Sequence, residues 1–145
     1  MQSRGAAQFV GYLKKPELAD LDDAGWFNTG DLATMDNDGY IRITGRTKDV
    51  IIRGGENIPV VEVEELLYQH PEVQAAAIVA MPDERLGERA CCFLTLASGA
   101  SMTFEEMVTY LLSKGLTKTY LPERLEIVTE MPRTASGKIQ KFNLR

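Results

Sequence analysis

Asp31 closes the segment Trp26-Phe27-Asn28-Thr29-Gly30-Asp31, where Gly30 permits a tight turn that leaves the carboxylate projecting from the end of a strand. A carboxylate so placed can accept hydrogen bonds from both hydroxyls of a ribose, although the same residues also suit a plain Asx-turn. A second segment runs from Gly45 to Ile58, with Arg46, Thr47, Lys48 and Asp49 ahead of a short strand and Gly54, Gly55, Glu56 and Asn57 after it. The Gly-Gly turn would let backbone approach a narrow ligand such as a pantetheine arm; a β-turn leading into a helix, with its charges solvated, explains the residues equally well. In the third segment, Thr134-Ala135-Ser136-Gly137-Lys138, small residues turn the chain while one ammonium reaches outward. Fixed positive charge there could stabilise the oxygens of a transferring phosphoryl group, and a surface turn with a solvated lysine is the alternative. It is not a Walker A loop, because no glycine stands four residues further upstream and no convincing helix follows.

The elements that must hold these segments are legible in the hydrophobic pattern. Residues 1–31 read as irregular or short-stranded, punctuated by Pro16, Asp22-Asp23, Gly25 and Gly30, with too few apolar groups for a core of their own. Leu32–Met35 and Tyr40–Thr44 flank the turn Asp36-Asn37-Asp38-Gly39 and predict a hairpin, followed by a polar break at 45–49 and a strand over 50–52. Val63, Leu66, Leu67 and His70 recur at helical spacing up to Pro71. Val73–Met81 and Ala90–Ala97 are apolar runs of strand length. Thr103 and Glu106 form a capping box ahead of the stripe Met107, Val108, Leu111 and Leu112, and a last strand lies near Leu125–Val128. The order β, α, β, β, α, β predicts an α+β fold, a small sheet covered on one face by two helices.

Composition narrows the function. The chain has 145 residues, enough for one domain or a domain with part of a neighbour attached, and its net charge of -5 argues against nucleic acid as a partner. No apolar run is long enough to cross a bilayer as a helix, and the residues after Met1 lack the apolar core of a signal peptide. Cys91 and Cys92 are adjacent in an apolar run and the sole histidine is His70. This pattern predicts buried structural thiols, a reducing cytoplasm, and neither a disulfide nor a metal site.

Taken in order, WFNTGD at 26–31, GRTKDVII at 45–52, GGENI at 54–58, PDERLGE at 82–88 and PRTASGK at 132–138 resemble the C-terminal signatures of the adenylate-forming superfamily over nearly the whole chain. The wording around Val61–Met81 and the ending Gly137-Lys138-Ile139-Gln140-Lys141 most resemble short- and medium-chain fatty-acid or alicyclic-acid CoA ligases. The resemblance implies that a carboxylic acid reacts with ATP, accompanied by Mg2+, to give an acyl-adenylate, and that CoA then displaces AMP. It implies that residues 1–47 are the tail of an N-terminal adenylation domain and 48–145 a mobile lid, with Lys48 at the hinge. By the same resemblance Asp31 holds the ribose, Arg46 lies near ribose and phosphate, and Lys138 bridges the attacking carboxylate and the α-phosphate. Gly54, Gly55 and Glu56 would form the pantetheine tunnel, with Asn57 near the phosphate. The phosphate loop, the adenine site and the acyl pocket would belong upstream, so an isolated chain is expected to be inactive.

Two features depart from the pattern. Pro59 follows Ile58 directly where relatives place proline one residue later, and Lys118-Thr119-Tyr120-Leu121 is less basic than its counterparts. A binding module that keeps the lid fold, and a ligase that loads a carrier-protein thiol instead of CoA, are the competing readings.

Overall fold

The computed structural model describes residues 1–9, 12–14 and 21–145, so the turn expected at Pro16 lies outside the described residues. The chain divides into two units, Met1–Lys48 and Asp49–Arg145. In the first, β1 (Gln2–Ser3) pairs antiparallel with β2 (Phe27–Asn28), and β3 (Asp31–Met35) pairs antiparallel with β4 (Ile41–Arg46). The β3–β4 turn is the predicted one: Asp36 Oδ1 accepts from the amides of Asp38 at 3.0 Å and Tyr40 at 2.9 Å, and Gly39 takes a φ of +86°. Strand β4 extends two residues beyond the expected end, so Gly45 and Arg46 are ladder residues, and the polar break shrinks to a 3-10 turn at Thr47–Asp49. Every buried hydrophobic residue among those described lies at Ile51 or beyond. Among its described residues the first unit therefore has no core, and Met35, Tyr40, Ile41 and Ile43 are exposed on its hairpin.

The second unit is built on β5 (Ile51–Arg53), β6 (Glu56–Ile58), β7 (Val73–Asp83), β8 (Gly87–Leu96) and β9 (Arg124–Ile127). Neighbouring strands run in the order β6-β5-β8-β7, all antiparallel, while β9 pairs parallel with β8 and makes the sheet mixed. Helix α1 spans Val60–Tyr68 and α2 spans Phe104–Ser113. Pro59 is the N-cap of α1, so the helix starts on the residue after it; proline's missing N–H costs nothing at that end, where the first amides have no intrahelical partner. The helix gives out at Gln69, two residues before Pro71, whose ring disfavours helical backbone at His70. At α2 the box closes both ways: Thr103 Oγ1 accepts from the Glu106 amide at 3.2 Å, and Glu106 Oε2 accepts from the Thr103 amide at 2.7 Å.

The pleat sends alternate residues of β7 and β8 to opposite faces. Ala76, Ile78, Ala90, Cys92 and Leu94 join Val63, Leu67, Met107 and Leu111 of the helices in the main core. Full burial of each large side chain there is worth about 1.5–3 kcal/mol. Ala75, Ala77 and Phe93 point the other way and are covered by the C-terminal segment through Met131, Val128, Ile139 and Leu144. Cys91 and Cys92 are both buried and unbridged. Burial pushes both thiols up, Cys92 well above the ordinary range, so they remain protonated packing groups.

Candidate functional site

In the first unit, the β3–β4 register places Asp31 opposite Arg46, and Arg46 Nε donates to Asp31 Oδ1 at 3.0 Å. The bond to Arg46 is the main influence holding the Asp31 carboxyl below its usual range, so it is ionised at neutral pH. The Asx-turn that this segment also suits is made by Asn28, and Thr29 adds a second side-chain bond. Asn28 Oδ1 accepts from the Gly30 amide at 3.1 Å, Thr29 Oγ1 accepts from the Asp31 amide at 3.1 Å, and Gly30 takes a φ of +71°. The Asp31 side chain is thereby left to face Arg46, whose guanidinium is about half exposed. Lys48 is the last residue of this unit, inside the 3-10 turn.

In the second unit, Gly54 and Gly55 form a two-residue connection between β5 and β6, because Arg53 pairs with Glu56 across it. Their φ angles of +59° and +90° are the two positive values of a type I′ hairpin turn. A Cβ at Gly54 would lie 3.2 Å from Leu86 Cδ2, whereas one at Gly55 would meet nothing within 4 Å. Glu56 and Asn57 are exposed on β6, a strand the sequence pattern did not predict. Arg53 ties this hairpin to the segment before β9: its guanidinium donates to Glu123 Oε1 at 2.6 Å and to the carbonyl oxygen of Thr119. Glu123 Oε2 in turn accepts from the Ala90 amide at 2.9 Å, which joins β5, β8 and the loop at one carboxylate. Nothing in the local sequence marks Arg53; its role comes from a partner 70 residues away.

Lys138 sits at the mouth of a tight hairpin. Thr134 and Lys138 close it through an amide-to-carbonyl bond of 2.8 Å, the Gly137 amide donates to Thr134 O at 2.9 Å, and Arg133 bridges antiparallel to Ile139. Gly137 supplies a φ of +85°, and Arg133 Nη1 donates to Gly137 O at 2.8 Å. Ile139 and Met131, on either side, plug the stem into the apolar face of β7 and β8. The Lys138 side chain is exposed and makes no hydrogen bond or ion pair among the described residues. A solvated ammonium on a pinned hairpin can be presented to an external anion without first breaking an internal bond.

The expected site residues thus fall into three groups: Asp31 with Arg46 in one unit, and Gly54–Asn57 and Lys138 on separate hairpins of the other. Among the described residues no group of three or more His, Cys, Asp or Glu side chains could hold a metal ion, and no helix is long and apolar enough to cross a membrane.

The chain is 51% identical over 146 residues to a medium-chain fatty-acid–CoA ligase of Escherichia coli (strain K12), covering 99% of this chain and 26% of that protein. It is 47% identical to 2-methylpropanoate–CoA ligase CCL4 of Humulus lupulus, covering 98% of this chain and again 26% of the relative. Among solved structures it resembles ATP-bound MatB from Rhodopseudomonas palustris with a TM-score of 0.80 at 32% identity, over 91% of this chain and 26% of that one. The chain therefore spans about a quarter of the length of the curated relatives it matches. The family model described as AMP-binding enzyme C-terminal domain matches residues 62–138, more than half of the sequence, and the chain belongs to that family.

Proposed function

We propose that this chain is the C-terminal part of an ATP-dependent acid–CoA ligase and that Lys138 is its catalytic cation. The observation that carries the reading is the Lys138 ammonium, exposed and unpaired among the described residues on a hairpin fixed at both ends of its stem. In the first half-reaction a carboxylate oxygen bonds to the α-phosphorus of ATP as pyrophosphate departs, and Lys138 neutralises charge on the carboxylate and the α-phosphate oxygens. In the second, the CoA sulfur attacks the acyl carbon, the acyl–phosphate bond breaks, the thiol proton is lost, and AMP leaves. Asp31, ionised beside Arg46, would accept from the ribose hydroxyls, and Arg46 would meet the nucleotide near ribose and phosphate. Magnesium would arrive with ATP.

Residues 1–47 would complete an N-terminal adenylation domain, a reading supported by the apolar side chains that the β3–β4 hairpin exposes and the absence of a core among the described residues of that unit. Residues 48–145 would act as the lid, turning at Lys48 between half-reactions. The Gly54-Gly55 turn and Glu56 would then line the path of the pantetheine arm, with Asn57 near phosphate; open space at the Gly55 Cβ position supports this. The relatives named above favour a short- or medium-chain acid as substrate, and the two unbridged thiols suit a reducing cytoplasm.

The test is Lys138→Ala in the full-length ligase. Adenylation should fall about 10²–10³-fold, the usual effect of removing one electrostatic contact to a charge-gaining oxygen, while thioester formation from supplied acyl-adenylate stays near normal. Equal loss of both half-reactions would refute the role.

A further inference from the structure

The residues after Lys138 fold back onto the second unit. Gln140 donates its amide to Pro132 O at 2.8 Å, and a 3-10 turn follows at Lys141–Asn143. Lys141 Nζ then lies 2.7 Å from Glu64 Oε1 of α1, both side chains being more than four-fifths buried. The same Glu64 oxygen accepts from the Ile78 amide at 2.6 Å, so one carboxylate links α1, strand β7 and the tail. Four residues on, Arg145 Nη2 reaches Asp49 Oδ1 at 3.1 Å. Ile139 and Leu144 pack on the face of the sheet opposite the helices. This stretch, residues 139–145, lies beyond the part of the chain that the family model matches.

We propose that residues 139–145 form a strap that positions the Lys138 hairpin, with Lys141 and Arg145 as positioning residues acting through Glu64 and Asp49. The proposal rests on the reading of Lys138 as the catalytic cation. Three Cα steps of 3.8 Å place the Lys138 and Lys141 Cα atoms within about 11 Å of each other, so freedom at Lys141 passes directly into the hairpin. At its far end the strap holds Asp49, the residue that follows Lys48. The strap thereby joins the hairpin of Lys138 to the first residue of its unit and to α1, and these move as one piece. Its two ties lie outside the main core, which Val63, Leu67, Ile78, Met107 and Leu111 fill without any contribution from the tail. Cutting a tie therefore loosens the hairpin while the main core keeps its packing.

The experiment compares Lys138→Ala, Lys141→Ala, Lys141→Arg and Arg145→Gln in the full-length ligase, measuring adenylation and, separately, thioester formation from supplied acyl-adenylate. Lys141→Ala should slow adenylation about 10–100-fold, the range expected when a reacting group is misplaced by up to 1 Å, and spare the thioester step. Lys141→Arg should restore most of the rate, and Arg145→Gln should give a smaller loss in the same half-reaction. If Lys141→Ala does not accumulate as folded protein, Arg145→Gln decides alone, its side chain being the more exposed of the two cations. Normal adenylation in Lys141→Ala and Arg145→Gln, with Lys138→Ala slow, overturns the strap and leaves the role of Lys138 intact. Equal slowing of both half-reactions, or no rescue by arginine, reduces Lys141 to a general structural residue and also overturns it. Normal adenylation in Lys138→Ala removes the catalytic reading and the strap with it.

Discussion

The Gly54-Gly55 turn lets folding and chemistry be separated at one position. Gly55 has a φ of +90°, and an L residue forced into left-handed backbone sets its Cβ against the following carbonyl oxygen, at a cost of roughly 1–2 kcal/mol. A Cβ at Gly55 meets nothing within 4 Å, so the added side chain starts in open space and the backbone penalty is common to alanine and leucine. With a urea slope of about 1–3 kcal/mol/M, Gly55→Ala and Gly55→Leu should both lower the unfolding midpoint of the chain by about 0.3–2 M. In the full-length ligase the two should part company. If the thiol arm passes this turn, leucine obstructs it and alanine does not, so thioester formation from supplied acyl-adenylate should be at least about tenfold slower in the leucine variant, a difference of ~1.4 kcal/mol. Adenylation should be alike in both. Equal thioester rates would remove Gly55 from the thiol path, and a much larger drop in urea midpoint for leucine would show that the space is not open.

Thr103→Ala deletes one half of the α2 capping box and should destabilise the chain by about 1 kcal/mol in urea titration; no change would mean that the Thr103 and Glu106 bonds are replaced by water at no cost. Arg53→Ala strands the partly buried Glu123 carboxylate with the Ala90 amide as partner and should cost about 1–3 kcal/mol. Midpoints within 0.3 M or so of the parent would contradict that. Asp83 accepts from the amides of Leu86 at 2.8 Å and Arg85 at 3.1 Å and from Arg89 Nε at 2.5 Å. These bonds, the Leu86 amide foremost, hold its carboxyl below the ordinary value of 3.8. A depressed folded value gives stability that is present above pH 3.8 and lost as pH falls through the folded value. Melting temperature should therefore decline below about pH 4, and less steeply in Asp83→Asn; parallel curves would exclude Asp83 as a source of the acid limb.

Elements whose signal is local were legible in the sequence. The Thr103/Glu106 box, the spacing of Val63 and Leu67, the Asp36–Gly39 turn and the apolar runs of β7 and β8 each follow from neighbours within a few residues. Strand β6 was not legible, because Glu56-Asn57-Ile58 is short and polar and becomes a strand only through the register that the Gly54-Gly55 turn imposes on β5. The apolar run ends at Met81, yet β7 continues through Pro82 to Asp83, since it lies at the edge of the sheet where a missing amide is tolerated. At the site, Asp31 and Arg46 were each singled out, but their direct pairing depends on an irregularity between Leu32 and Ala33 that no local pattern encodes. Arg53–Glu123 and Lys141–Glu64 join residues far apart in sequence and became visible only once the sheet had brought them together.

An open strand is an invitation to polymerise, since its outward amides can template a second chain. Strand β7 has such an edge, and two of its outward positions are closed to newcomers. The Ile78 amide is already occupied by Glu64, and Pro82, four residues on and facing the same side, has no N–H to offer. An incoming strand would have to evict a carboxylate at Ile78 and go unbonded at Pro82, so this border is a poor template for fibril-like growth.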